Sequence, residues 1–189
     1  SEVVLLQISQ EKPDGDAADN KAKFTDVKDS DYFAKAVAWA VSKGITTGTS
    51  AATFSPNAPC TRAQIVTFLW RAAGKPEPQK ADNPFADVKA DAYYNKALLW
   101  AVEQGIIKGT SATSFSPDAT CTRGQMAAIL YRYAKSPEVK GDKSFADVKA
   151  DAYYANAVKW AAEQGITEGT GATSFSPDAT CTRAQIVTF

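Results

Sequence analysis

Three copies of one short charged segment carry the residues most suited to binding an anion. The segment reads Cys-Thr-Arg-Ala-Gln at residues 60–64 and 181–185, and Cys-Thr-Arg-Gly-Gln at residues 121–125. Each copy lies shortly after a Phe-Ser-Pro tripeptide, and the copies are about sixty residues apart. A spacing this regular predicts an architecture of internal repeats.

The threonine and the glutamine of each segment fit the start of a helix. The threonine hydroxyl would accept from the backbone NH three residues on, while the glutamine reaches back to the threonine NH. The preceding cysteine and the fourth helical residue, such as Ile65, would form a hydrophobic staple. This pattern predicts small, buried, apolar roles for Cys60, Cys121 and Cys181.

The arginine of each segment is harder to explain by folding alone. Arg62, Arg123 and Arg183 occupy the first helical turn, where the helix dipole is positive and acidic residues are preferred. Unpaired helix-start NH groups together with a guanidinium would form a site for a carboxylate or a phosphate. The alternative is a salt bridge to an aspartate such as Asp26 or Asp87. The residues alone leave both interpretations open.

Composition limits the class of protein. The 189 residues are 44% hydrophobic and 22% charged, typical of a globular protein, with 21 basic and 21 acidic residues and no basic block. Nucleic acid is therefore not an expected partner, and no apolar stretch is long enough for membrane insertion. The N-terminal segment, residues 1–10, lacks the pattern of a secretory signal.

The chain divides into three repeats with polar linkers, and each repeat carries two helical patterns. In the second repeat Tyr94, Ala97, Leu98 and Ala101 form one apolar stripe, and a glycine cap follows at Gly105. The predicted units are an N-terminal arm or linker at 1–23 with a strand-like stretch at 3–8, repeats at 24–74, 85–134 and 145–189, and linkers at 75–84 and 135–144. The third repeat stops at Phe189 within a motif that continues in the earlier copies, which favours a fragment of a longer protein.

A single repeat of about fifty residues buries too little apolar surface to be stable alone. We therefore predict an all-α fold with a pseudo-threefold arrangement of three helix–loop–helix repeats. The second helices would form a central three-helix bundle, with the first helices and loops outside and a short N-terminal strand or arm as a further candidate element. Three thiols could then converge on a metal, but the lack of histidine and of closely spaced cysteines argues against it, so no metal or cofactor is expected.

Several repeated residues each have a structural and a functional interpretation. The tryptophans Trp39, Trp100 and Trp160 suit the core better than sugar stacking. The Gly-Thr pairs suit a turn better than close approach of a ligand, and the aspartates suit a turn better than a ligand site. These loop residues are Gly48, Thr49, Gly109, Thr110, Gly169, Thr170, Asp26, Asp87 and Asp147.

Catalysis is not expected of this chain. A glycosidase needs two carboxyl groups on either side of a substrate cleft. No pair in the sequence is singled out for this role, and Asp147 with Asp151 is not either. The sequence contains no histidine, which excludes Ser-His-Asp and Cys-His arrangements.

The ordered motifs Phe-x-Asp-Val, Gly-Ile, Gly-Thr, Phe-x-Pro and Thr-Arg-Ala-Gln resemble the S-layer homology family, three times over, across residues 24–189. The resemblance implies non-covalent anchoring of a bacterial surface protein at the cell wall. Its partner would be an anionic, typically pyruvylated, secondary cell-wall polysaccharide held in grooves between repeats. It implies an extracellular location and no enzymatic activity.

The resemblance also implies which residues bind. The arginines would hold the acidic group of the ligand, and the neighbouring loop and cap residues, including Gln64, Gln125 and Gln185, would line the grooves. The family usually has Ile-Thr-Arg-Ala-Glu, so cysteine and glutamine here replace isoleucine and glutamate. The loss of the glutamate charge leaves an alternative, a protein–protein assembly module that self-associates without binding glycan.

Overall fold

The computed structural model describes residues 24–189 of the chain, so the predicted arm or linker at 1–23 lies outside the described residues. Within the described range the regular structure is helical, with isolated β-bridges and no strand. The helices are α1 (Ala34–Ser42), α2 (Arg62–Ala72), α3 (Asn95–Glu103), α4 (Arg123–Tyr133), α5 (Ala155–Glu163) and α6 (Arg183–Thr188). The predicted all-α repeat architecture is confirmed.

Local sequence signals set the helix ends. A complete capping box starts α2, α4 and α6, with Thr61, Thr122 and Thr182 as the caps. The first helix of each repeat is followed by a glycine with φ of 68° to 70°, namely Gly44, Gly105 and Gly165. The predicted capping boxes and glycine caps are both confirmed. Each depends only on contacts within a few residues, which a sequence pattern can reveal.

Helices pair between repeats rather than within them. The second helix of one repeat packs against the first helix of the next, so that α2 lies on α3 and α4 lies on α5. The helix α6 of the third repeat packs on α1 of the first repeat and closes the ring. Each repeat therefore buries its apolar faces against its two neighbours, which explains why three copies are stable together.

The starts of the three second helices meet around a common axis, where the cysteines hydrogen-bond through their backbones. Cys60 N donates to Cys181 O at 2.9 Å, Cys181 N to Cys121 O at 2.8 Å, and Cys121 N to Cys60 O at 3.2 Å. The three cysteines are at most 1% exposed and share one apolar core with the staple residues Ile65, Met126 and Ile186. The second helices thus share the central core, as predicted, although their main lateral partners are the first helices.

The cysteines are free thiols, and residues 24–189 contain no group of His, Cys, Asp or Glu placed to hold a metal ion. Burial raises the pKa of Cys121 to about 11 and that of Cys181 to about 12, and raises the pKa of Cys60 further. These side chains therefore remain protonated at neutral pH.

We expect all three thiols to be unreactive in the folded protein, because only the thiolate attacks a disulfide reagent. Titration at pH 8 with an aromatic disulfide reagent should detect fewer than about one thiol per chain within minutes. The same titration in denaturant should detect three. Rapid reaction of the native protein would contradict the burial of the three cysteines at the common axis.

The repeated tryptophans belong mainly to the core. Trp100 and Trp160 are 7% and 4% exposed and contact Tyr133 and Tyr131. Trp39, on α1, is only half-buried, because α1 packs against the six-residue α6, whereas α3 and α5 each pack against a helix of eleven residues.

Among residues 24–189, no helix combines the length and the apolar character that a membrane span requires.

Candidate functional site

The three arginines lie at the contacts between successive repeats, which we name sites A, B and C. Each site combines the arginine of one repeat with the Phe-x-Asp-Val aspartate and the Gly-Thr loop of the next. Site A contains Arg62, Asp87, Gly109 and Thr110; site B contains Arg123, Asp147, Gly169 and Thr170; site C contains Arg183, Asp26, Gly48 and Thr49.

Each guanidinium binds the backbone of the next repeat. The Nε atoms of Arg62, Arg123 and Arg183 donate to the carbonyls of Phe115, Phe175 and Phe54, each at 2.8 Å. Each guanidinium also lies over the ring of that phenylalanine, 4.6 to 4.7 Å from its centroid. Arg123 and Arg183 are buried and Arg62 is half-buried. The arginines therefore stabilise the ring of repeats, whether or not a ligand is present.

The helix-start NH groups are not available for an anion, which corrects one part of the sequence-based hypothesis. Arg62 N donates to Ala119 O at 2.9 Å and Ala63 N donates to Pro117 O at 3.0 Å. Gln64 N donates to Thr61 Oγ1. The same contacts recur at α4 and α6. The acceptors come from the loop of the next repeat, which the sequence does not place beside the helix.

Direct salt bridges to the arginines, the alternative interpretation, are also not formed within residues 24–189. Instead Asp26, Asp87 and Asp147 accept from backbone NH groups of the Phe-Ser-Pro segment in their own repeat. Asp26, for example, accepts from Phe54 N at 2.8 Å and Ser55 N at 2.7 Å. Burial lowers the pKa of each guanidinium, and the aspartate of the same site acts on it through space in the opposite sense. The arginines remain charged, because their reference pKa is above 12.

The aspartates hold a backbone conformation that the sequence did not reveal. The serine of each Phe-Ser-Pro segment has a positive φ, namely 58° at Ser55, 57° at Ser116 and 58° at Ser176. This left-handed conformation is uncommon outside glycine, asparagine and aspartate. The carboxylate, which binds the NH of that serine and of the preceding phenylalanine, offsets its cost. The turn interpretation of the three aspartates thus has a specific physical basis.

These carboxylates should make stability depend on acid pH. Desolvation alone would raise the pKa of Asp26 and Asp87, but backbone hydrogen bonds outweigh it and the pKa of each is lowered. For Asp147 the hydrogen bond from Phe175 N is the largest cause of a lowered pKa. A lowered folded pKa gives stability that is present above the unfolded value of about 3.9 and is lost as the pH falls through the folded value.

We therefore expect the urea midpoint of the protein to fall as the pH is lowered below about 4, where the aspartates become protonated. The triple variant Asp26→Asn, Asp87→Asn, Asp147→Asn should have a lower midpoint at pH 7 and a flatter dependence on acid pH. Asp142→Asn, in an exposed linker, is the matched control. Equal pH profiles for the triple variant and the wild type would contradict the prediction.

The Gly-Thr loops pack on the protein itself. A Cβ on Gly109 would lie 2.5 Å from Ser111 O and 2.7 Å from Ser114 O, and would overlap the ring of Phe85. Thr110 Oγ1 is 2.7 Å from Ser116 Oγ, and Thr49 and Thr170 make the same contact with Ser55 and Ser176. The internal contacts therefore explain why Gly109 has no side chain. The exposed threonines are the part of each loop that a ligand could reach.

The glutamines complete the capping boxes. The Oε1 atoms of Gln64, Gln125 and Gln185 accept from the backbone NH of Thr61, Thr122 and Thr182 at 3.1, 2.9 and 3.0 Å. They are half-buried. Their structural role is clear, and ligand contact by their remaining amide groups stays a prediction.

Three exposed tyrosines were missed by the sequence reasoning, which considered only tryptophan as a sugar-stacking residue. Tyr32, Tyr93 and Tyr153 occupy equivalent positions before the first helices and are 70%, 64% and 65% exposed. Each ring meets the next aromatic residue edge-on, with centroids 5.0 to 5.1 Å apart. The Tyr32 hydroxyl lies within long electrostatic range of Arg123, and the Tyr93 hydroxyl within that of Arg183. Their repetition at an exposed position before each first helix was the available signal.

The fold and these sites define a repeat-built module whose arginines, aspartates and capping residues serve its assembly. The S-layer homology domain matches residues 23–66, 84–127 and 144–187, so the chain belongs to the S-layer homology family. This family consists of non-catalytic modules that bind cell-wall polysaccharide and anchor surface proteins at the bacterial cell wall, which places the chain at the extracellular cell surface.

Curated relatives carry the same module in different contexts. The chain is 38% identical over 97 residues to a "Surface-layer 125 kDa protein" of Lysinibacillus sphaericus, covering 51% of this chain and 8% of that protein. It is 36% identical over 135 residues to an "Endoglucanase" of Bacillus sp. (strain KSM-635), covering 69% and 14%. It is 30% identical over 113 residues to a "Cell surface protein" of Thermoanaerobacter kivui, covering 58% and 15%. The chain thus spans no more than 15% of the length of these relatives.

Proposed function

We propose that this chain anchors a larger surface protein by binding an anionic, pyruvylated secondary cell-wall polysaccharide at sites A, B and C. The observation that carries the proposal is the electrostatic character of these sites. Each holds a guanidinium that no carboxylate of residues 24–189 neutralises by direct contact, next to an exposed hydroxyl-bearing loop. A polyanion is attracted to three such charges at once.

Stacking and hydrogen bonding would supply the selectivity for a sugar. Aromatic rings present an apolar face that matches the C–H face of a pyranose. Tyr32 and Tyr93 lie within electrostatic range of Arg123 and Arg183, so a saccharide stacked on either ring would bring its acidic substituent near a positive charge. The exposed Thr49, Thr110 and Thr170 offer hydroxyl groups.

Several weak contacts can hold one polymer tightly. A charge-assisted hydrogen bond to a carboxylate contributes about 1.5–3 kcal/mol, which is weak for a single site. When one chain of repeating units engages more than one site, the later contacts form at a high effective concentration. The three repeats therefore favour a polymeric ligand over a free monosaccharide.

Co-sedimentation with purified cell walls tests the proposal. The protein should sediment with intact walls and should stay in solution when the secondary polymer has been removed from the same walls. Binding to stripped walls as strong as to intact walls would contradict it. Concentration-dependent oligomers that ignore added polysaccharide would instead support the assembly alternative.

Removing the exposed tyrosines separates binding from folding, because these side chains are largely in solvent. We expect Tyr32→Ala, Tyr93→Ala, Tyr153→Ala together to reduce the affinity for intact walls by about a hundredfold, given about 1 kcal/mol per stacking ring. The melting temperature should change little. The control is Tyr131→Phe, which removes only a hydrogen bond from the Tyr131 hydroxyl to Pro137 O. Unchanged wall affinity in the triple variant would exclude stacking on these rings.

A further inference from the structure

The helix α1 has an apolar stripe that its partner helix covers only in part. Ala36 and Trp39 lie about one turn apart on this stripe and are half-buried. Their counterparts in the second and third repeats are buried, with the tryptophans 7% and 4% exposed. Those two tryptophans each contact a tyrosine ring, whereas within residues 24–189 Trp39 contacts no aromatic ring. The first repeat thus leaves part of an indole in solvent that the other repeats bury.

The last turns of the preceding second helix cover this position in the third repeat. Tyr131 in α4 contacts Trp160, with ring centroids 5.6 Å apart. Trp160 is 4% exposed even though its own second helix, α6, has only six residues, so the preceding helix α4 is enough to bury it. The helix that packs on α1 is α6, which ends at Thr188, before the position equivalent to Tyr131. Trp39 therefore lacks the cover that Trp160 receives.

The sequence of residues 3–8 resembles the helix turns that α1 lacks as partners. It reads Val-Val-Leu-Leu-Gln-Ile, and a proline follows five residues later at Pro13. The corresponding parts of α2 and α4 read Val-Thr-Phe-Leu-Trp-Arg at residues 66–71 and Ala-Ala-Ile-Leu-Tyr-Arg at residues 127–132, and a proline follows each at the same distance. In this alignment Leu5 and Leu6 correspond to positions that are 3% to 7% exposed in both helices.

The linkers between repeats show how such a segment reaches the next first helix. From that proline to the phenylalanine of the next repeat the chain advances nine residues at 76–85 and eight at 137–145. Along each linker a backbone NH donates to the glutamate that ends the next first helix, at 3.0 Å to Glu103 and at 3.3 Å to Glu163. The equivalent stretch before the first repeat, 13–24, advances eleven residues. It is therefore long enough to follow the same course past α1.

We propose that residues 5–8 of this chain pack on Ala36 and Trp39, in the place that the last turns of α4 hold on α5. Two pieces of chain, α6 and this N-terminal segment, then do together what a single helix does at the other two contacts. Apolar burial favours the contact. Gln7 stands where α4 has a tyrosine, so the two leucines supply the cover. A short linker joins the segment to the first repeat, so its effective concentration at α1 exceeds that of a second copy.

The solvent exposure of the Trp39 indole tests the proposal. In the full chain a soluble gadolinium chelate should broaden the Trp39 Nε1–H NMR signal as little as the Trp160 signal, and Trp39→Phe identifies the signal. The double variant Leu5→Asp, Leu6→Asp should lose this protection, while the Trp160 signal stays unchanged. Its melting temperature should fall by about 4–8 °C, because two apolar side chains lose their burial.

The matched control is Ala17→Asp, Ala18→Asp, which adds the same two charges in the polar stretch before the first repeat. It should keep both the protection of Trp39 and the melting temperature. Broadening of the wild-type Trp39 signal to the extent of a half-exposed indole would overturn the inference. Protection that survives in Leu5→Asp, Leu6→Asp, or that disappears on dilution, would assign this part of α1 to a second copy and overturn it as well. The proposed function is tested separately, since Trp39 and residues 5–8 belong to none of sites A, B and C.

Discussion

Replacing Arg183 with alanine should lower the free energy of unfolding by about 3–5 kcal/mol, since two hydrogen bonds from a charged group contribute about 1.5–3 kcal/mol each. Arg183 is 4% exposed, and it joins the third repeat to the first through Phe54 O at 2.8 Å and Thr47 O at 3.1 Å. Its guanidinium also lies between the rings of Phe54 and Phe68, 4.7 and 5.7 Å from their centroids. The truncation leaves two carbonyls without their donor at the contact that closes the ring.

Urea unfolding followed by circular dichroism measures this change. The matched control is Arg132→Ala, because Arg132 is half-buried in α4 and has no side-chain hydrogen bond within residues 24–189. That control should lose no more than about 0.5 kcal/mol. If the two variants were equally stable, the ring would be closed by apolar contacts alone and the structural role assigned to the arginines would be wrong.

Replacing Gly109 with alanine should be comparably severe. The new Cβ would lie 2.5 and 2.7 Å from two backbone oxygens, those of Ser111 and Ser114, and would overlap the buried ring of Phe85. Backbone atoms of a tight loop cannot move aside cheaply, so we expect a loss of about 3 kcal/mol. In a chain of this size that corresponds to a fall of about 6–12 °C in melting temperature.

Gly171→Ala is the control in the equivalent loop of the third repeat. Its Cβ would meet nothing within 3.8 Å, and Gly171 does not have a positive φ. The melting temperature should stay constant or rise slightly, because alanine restricts the unfolded chain. A similar loss in both variants would show that the loops are generally intolerant of side chains, and that the contact with Phe85 is not the cause.

The burial of the arginines changes how ligand contact should be pictured. The sequence suggested that a guanidinium and free helix-start NH groups together form an anion-binding site. In the structure those NH groups are bound to Ala119 O and Pro117 O and their equivalents, so only the guanidinium charge remains. An arginine that both joins two repeats and attracts a polyanion couples binding to the packing of the repeats. An alanine variant that loses wall binding would therefore need a stability measurement before it could count as a binding variant.

The sequence determined by itself the features that depend on contacts within about four residues. The Thr61–Gln64 capping box, the glycine cap at Gly44 and the apolar stripe on α3 all follow from local geometry, and all are present. The burial of the cysteines followed from the staple positions in the same way. Repetition then predicted a shared core, since each of these signals occurs in every repeat.

Tertiary structure alone decided the partners of the groups that reach between repeats. Arg183 and Phe54 are 129 residues apart, and Asp26 and Ser55 are 29 residues apart, so no local pattern places them together. The positive φ of Ser55 is held by that distant carboxylate, which accepts from Ser55 N. Such contacts arise only once three rigid repeats are oriented about an axis, because their geometry depends on how the repeats pack and not on which residues are neighbours in the chain.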